Sequence, residues 1–221
     1  MRSVIVAPVA RSALRLLESP AARGDALPAR IEPGRVVELS GLVEGACARL
    51  STAVAIVRHV QAEGDTTAWI QPEGGPLYPP DVAEAGIDLE ALVVVHVPGN
   101  ALPHGLCKAA ELLLRSGAFG LVVIDGTSAT WPSAPTQAWL GRVLGLARQH
   151  GSRVLLLTEK PAHADSLGTL VGLRVESRRR REPSGGFVVE HHVVKNKSGS
   201  PFDVEVDRYR GPDGTDPIAH P

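Results

Sequence analysis

The chain has 221 residues, a formal net charge of −1 and 43% hydrophobic residues, of which very few are aromatic. That length suits one domain with appendages. The near-neutral charge gives no global attraction to nucleic acid or to an anionic membrane, so any such contact needs a local patch. No apolar run reaches transmembrane length, and the start of the chain lacks a signal-type apolar segment with a cleavage site. Cys47 and Cys107 are too few for a disulfide framework and sit in helical patterns as small hydrophobes. The expectation is a cytoplasmic protein whose core is built from Val, Leu, Ala and Ile.

Residues 1–30 read as a separate helix and linker. Helical periodicity over 12–18 (Leu14, Leu16 and Leu17 on it) is followed by the breakers of 19–25. This segment is either a docked terminus or an arm that packs on another protein. Residues 31–210 form the expected domain. Val36–Leu39 is a short buried strand, followed by a Gly-containing turn and an amphipathic helix from about Cys47 to Glu63. Strands follow at 66–70, 92–97, 119–125 and 153–158, separated by helices near 80–85, 103–116 and 135–150. Continuous apolar strands alternating with amphipathic helices predict an α/β fold, with a mostly parallel sheet covered on both faces. Three consecutive strands at 170–177, 186–195 and 202–209 predict an antiparallel extension, and 211–221 a disordered tail.

The turn after the first strand has the frame of a phosphate-binding loop without its chemistry. Such a loop places Gly, Lys and Ser/Thr five, six and seven residues after its first glycine. Counting from Gly41, those places hold Ala46, Cys47 and Ala48. Gly45 lies just before them. Arg49 is the nearest cation, two places too far along. No ammonium waits for a phosphate, and no hydroxyl for Mg²⁺.

The landmarks occur in the order of a known family. The run 34–41 resembles the first strand and glycine of the RecA recombinase core, and 63–73 its next strand, with Glu73 at the position of the family's catalytic glutamate. Residues 121–125 resemble its Walker B strand, with Asp125 as the acid. Val193-Val194-Lys195-Asn196-Lys197, followed by Pro201-Phe202, is similar to a late-strand run of RecA proteins. The resemblance covers roughly 34–209. It implies a RecA-like core lacking the Walker A lysine and hydroxyl, with Thr158-Glu159 replacing the sensor pair. Both DNA-binding loops are cut down, the second to 160–168. A small RecA-like core with a decayed phosphate loop further resembles the ImuA family, accessory proteins of translesion synthesis. That resemblance implies contacts with RecA recombinase, a Y-family polymerase-like protein of the ImuB type and the error-prone polymerase. It implies no enzyme activity, no cofactor and no metal, with DNA binding at most weak.

Each candidate residue carries a plainer reading beside this one. Glu73 and Asp125 are either surviving acids of a nucleotide site or caps at strand ends. Lys195 and Lys197 either reach a partner's nucleotide, as the resemblance implies, or are solvated lysines. Arg178, Arg179, Arg180 and Arg181 read as a solvated hairpin tip or as a holder of phosphate or of an acidic partner. His191 and His192 point to opposite faces of a strand and do not chelate as a pair. Trp131 stands out in the loop where the family's first DNA loop begins. Two alternatives stay open: an ATP-dependent recombinase relative that uses Arg49 at its phosphate loop, and a SulA-like division inhibitor.

Overall fold

The computed structural model describes residues 15–16, 27–42, 46–181, 187–198 and 205–210. Its elements in chain order are β1 (Arg15–Leu16), β2 (Val36–Gly41), α1 (Arg49–Ala62), β3 (Thr67–Pro72), α2 (Pro79–Glu84), β4 (Leu92–Val97), α3 (His104–Ser116), β5 (Leu121–Asp125), α4 (Ser133–His150), β6 (Arg153–Glu159), β7 (Leu173–Arg181), β8 (Phe187–Asn196) and β9 (Glu205–Arg210). Short 3-10 turns lie at Leu27–Arg30 and Gly99–Ala101.

The strands join in one sheet in the order β1-β9-β8-β7-β2-β6-β5-β3-β4. From β7 to β4 the neighbours run parallel, and β7, β8, β9 and β1 pair antiparallel. This is the expected α/β architecture and RecA-like topology. The apolar strands β5 and β6 sit mid-sheet because both of their faces are covered. One face packs Leu39, Trp69, Val123 and Leu155 under α1 and α2 through Ile56, Val60 and Val82, joined by Leu27 and Ile31. The other packs Ile70, Val122 and Leu156 under α3 and α4 through Leu106, Leu114, Trp139 and Val143.

Local signals explain the boundaries. Pro79 opens α2, where a missing N–H costs nothing. Gly117 (φ 68°) and Gly151 (φ 66°) end α3 and α4 in the left-handed region, which a Cβ disfavours. Two expectations need correction. The helix expected over 12–18 is described only at Arg15–Leu16, where the backbone pairs with Tyr209 and Arg210 of β9. A sheet edge with unpaired N–H and C=O groups outweighs a weak helical period there. Leu14 and Leu17 lie outside the described residues. Cys47 is not helical either: it precedes α1 and forms an isolated antiparallel bridge with Arg178.

Candidate functional site

In open α/β sheets, ligands gather at the carboxyl ends of the strands, beside the turn into the next helix. Here that place is the end of β2. Gly41 closes the strand so near Cys47 that an added Cβ would stand 2.7 Å from Sγ. Residues 46–48 then run beside β7: Ala48 N–H donates to Ser177 O (2.9 Å) and Arg179 N–H to Ala46 O. Ala48 O in turn accepts from Thr52 N–H (2.9 Å) and from Thr52 Oγ1 (3.0 Å), starting α1 without a side-chain cap. The Ala48 amide is therefore spent on protein backbone. Gly45 lies outside the described residues.

Arg49 fills the space behind this turn. It is buried, and its Nη1 donates to the carbonyls of Gly41 and Thr158 (3.0 Å to the latter). One guanidinium thus ties together the carbonyl ends of the neighbouring strands β2 and β6, and it faces inward.

The two candidate acids have different settings. Asp125, the last residue of β5, is buried, and its Oδ1 accepts from Thr127 N–H (3.1 Å) and Oγ1 (2.7 Å). Glu73 is exposed just beyond β3, with its amide on Val97 O (2.9 Å). One residue past the Ile70–Ile124 pair of β3 and β5, as Asp125 is, lies buried Gln71, whose Oε1 accepts from Leu77 N–H (3.2 Å). Among the described residues, no group of His, Cys, Asp and Glu is arranged to hold a metal ion.

The other side of β2 carries a network that was not evident from the sequence. Glu38 is fully buried and accepts from Lys160 Nζ (2.6 Å), Thr158 Oγ1 (2.7 Å) and Leu167 N–H (2.9 Å). Arg174, equally buried, donates Nε to Ser40 Oγ (2.9 Å), Nη2 to Pro161 O (2.7 Å) and Nη1 to Ala164 O. Lys195 reaches Ser166 Oγ (2.9 Å) and Gly168 O (3.1 Å), and Lys197 reaches Thr169 O. Burial, then the neighbouring Lys197 charge, lowers the Lys195 pKa below its ordinary value. Five charged side chains thus hold segment 160–169 across the sheet's end. The available signal was a glutamate and a serine in an otherwise apolar central strand.

The arginine run is also corrected. Arg178 to Arg181 are the last residues of β7 rather than the tip of a hairpin, so alternate ones face opposite sides. Arg178 pairs with Glu176 (2.8 Å) and Arg180 with Glu190 (3.2 Å), while Arg179 lies over the Phe187 ring, 4.9 Å from its centroid. Trp131 is anchored: it stacks on Trp139 at 5.5 Å and donates Nε1 to Gly126 O (3.2 Å). His191 is buried with its Nδ1 2.9 Å from Ser177 Oγ, and half-buried His192 sits near Glu190. No described helix is long and apolar enough to cross a membrane.

No family model matches the chain. It is 26% identical to protein RecA of Thermus aquaticus over 226 residues, covering 85% of this chain and 64% of that protein. It is 29% identical to protein RecA of Lactobacillus acidophilus over 79% of this chain and 56% of the relative. With protein RecA of Bifidobacterium breve the identity is 31%, over 49% of this chain and 26% of the relative. The chain thus spans less than two-thirds of the length of these relatives. Similarity over most of the chain and a sheet of RecA-like topology together make this protein a RecA-like relative.

Proposed function

We propose that this chain is a non-catalytic RecA-like accessory protein of the DNA-damage response, acting through protein contacts rather than nucleotide turnover. The observation that carries this reading is Arg49, the nearest cation after Gly41, which is bonded inward to the carbonyls of Gly41 and Thr158, while Cys47 holds the place of a phosphate loop's lysine. The Ala48 amide, directed to Ser177, supports it. A phosphate site needs converging free N–H groups and a mobile cation. The resemblance to the ImuA family supplies the setting, which is support of translesion synthesis. The partners proposed on that basis are RecA recombinase and a Y-family polymerase-like protein, with the error-prone polymerase beyond it. Lys195 and Lys197 contribute to a partner surface only by giving up their bonds to segment 160–169.

The test is a titration of the purified chain with a fluorescent ATP analogue and Mg²⁺, with an active RecA as positive control. The expected result is no saturable binding at millimolar nucleotide, together with capture of the chain by RecA. The similarity to RecA proteins over 85% of the chain, taken alone, favours a second reading, an ATP-dependent DNA-binding recombinase relative. Saturable micromolar binding, abolished by Arg49→Ala, establishes that reading and ends the first.

A further inference from the structure

Segment 160–169 crosses the end of the sheet between β6 and β7 without joining the strand ladder. Among the described residues, the backbone–backbone bonds of 161–169 stay within its own turns: Ala164 N–H donates to Pro161 O (3.1 Å), and Gly168 O accepts from Val171 N–H (3.3 Å). Backbone contact with the sheet resumes at Gly172, whose N–H donates to Val36 O (2.9 Å). Side chains fasten the segment instead. The carbonyls of Pro161, Ala164, Asp165, Gly168 and Thr169 accept from Arg174, Lys160, Lys195 and Lys197, and Leu167 N–H donates to Glu38. On the α4 side, Gln137 Oε1 accepts from Thr169 N–H (3.3 Å) and Oγ1 (3.2 Å), both long bonds. Gly168 lies so close to this amide that an added Cβ would stand 2.4 Å from Gln137 Nε2.

The charges under the segment do not balance. Lys160, Arg174, Lys195 and Lys197 meet one buried acid, Glu38, while Glu176, the next acid along β7, is paired with Arg178 (2.8 Å). Neutral carbonyls complete the shells of the remaining cations. Gathering like charges out of water is unfavourable, and the lowered pKa of Lys195, from burial and then from Lys197, is the mark of it. The segment is therefore closed over a cluster that repels itself. It can lift between β6 and Gly172 without breaking one ladder bond, and elements so held open locally at low free energy.

We propose that segment 160–169 is an autoinhibitory strap, which lifts as a unit from an intact sheet and, while closed, withholds Lys195 and Lys197 from a partner. Closed, it supplies Ser166 Oγ and the carbonyls of Gly168 and Thr169 to those two ammonium groups, so strap and partner compete for the same donors. A partner then binds the open form, and its affinity is reduced by the fraction of time that the strap is closed. The inhibition rests on the reading of the two lysines as a partner surface; the lifting of the strap does not.

The experiment has three readouts on the full chain. In native-state hydrogen exchange at low urea, the Leu167 amide is expected to exchange about 100-fold faster than those of Leu155 and Leu157 in β6, with no urea dependence. In acetic anhydride labelling read by mass spectrometry, Gln137→Ala, which frees Thr169 from α4, is expected to speed acylation of Lys195 about fivefold. Lys108, exposed on α3, is the internal reference and keeps its rate. Gly168→Ala, which presses on the same amide, repeats the readout if Gln137→Ala misfolds. Capture by RecA is expected to strengthen about fivefold in the variant that labels faster. A Leu167 amide that shares the rate and urea slope of β6 overturns the strap, as does unchanged Lys195 labelling in both variants. Faster labelling with unchanged capture overturns the inhibition. If RecA captures neither parent nor variant, the partner reading of the lysines fails, and exchange and labelling alone decide the strap.

Discussion

On the α1 side of β2 a lone guanidinium closes the sheet's end against neutral carbonyls, whereas on the other side a buried carboxylate gathers an ammonium, a hydroxyl and an amide. Both closures cross from β2 to β6, and both use a cation. They differ in what remains when one member goes. Removing Arg49 leaves carbonyls unmet, each a dipole that water or a small shift can satisfy. Removing the Glu38 charge leaves Lys160 beside an empty anion position and orphans the Leu167 amide. A buried ion pair adds little net stability over apolar packing, but losing one partner is costly. The Glu38 side is therefore the more brittle closure, and the Arg49 side the more tolerant.

The largest expected effect breaks that asymmetry directly. Glu38→Ala should lower unfolding free energy by about 3–5 kcal/mol in urea melts, the range for breaking a buried pair. Arg49→Ala should cost about 2–3 kcal/mol, because it leaves buried acceptors without a donor. If the Arg49 loss equals or exceeds the Glu38 loss, the ranking of the two closures is wrong. Next comes Trp131→Ala, which removes the stack on Trp139 and the bond to Gly126, at about 1–2 kcal/mol. An effect near zero would mean that the loop after β5 holds itself without its ring. The smallest structural perturbation is chemical. Burial pushes the Cys107 thiol up to about 11. In the folded chain at pH 8 it should alkylate about 100-fold more slowly than an unperturbed thiol. Reaction at the unperturbed rate would show that α3 exposes it.

The parts of the molecule that the sequence made legible are those built from local pattern. The run Leu92–Val97 is a strand because six residues with only one polar member suit nothing else at that length, and Gly117 and Gly151 mark where α3 and α4 stop. The missing lysine and hydroxyl after Gly41 were equally plain. What stayed hidden depends on distance along the chain. Nothing near Arg49 points to Thr158, and nothing near Glu38 points to Lys160 or Leu167, because parallel pairing brings them together only after the sheet forms. The segment around Arg15 read as helical because local periodicity is silent about an open edge at Tyr209–Arg210. The arginine run read as a tip because no pattern within Arg178–Arg181 shows how far β7 continues.

The central place of β2 also sets a timetable for synthesis. Its two neighbours in the sheet are β6 and β7, so Val36 pairs with Val154 and Val37 with Leu173. On the ribosome, β3, β4 and β5 emerge and pair while β2 still has no partner. The first strand of the parallel core to leave the tunnel is thus the one that waits longest for its place. A nascent chain arrested before Arg153 should stay protease-sensitive around Val36–Gly41, and one released beyond Asn196 should not.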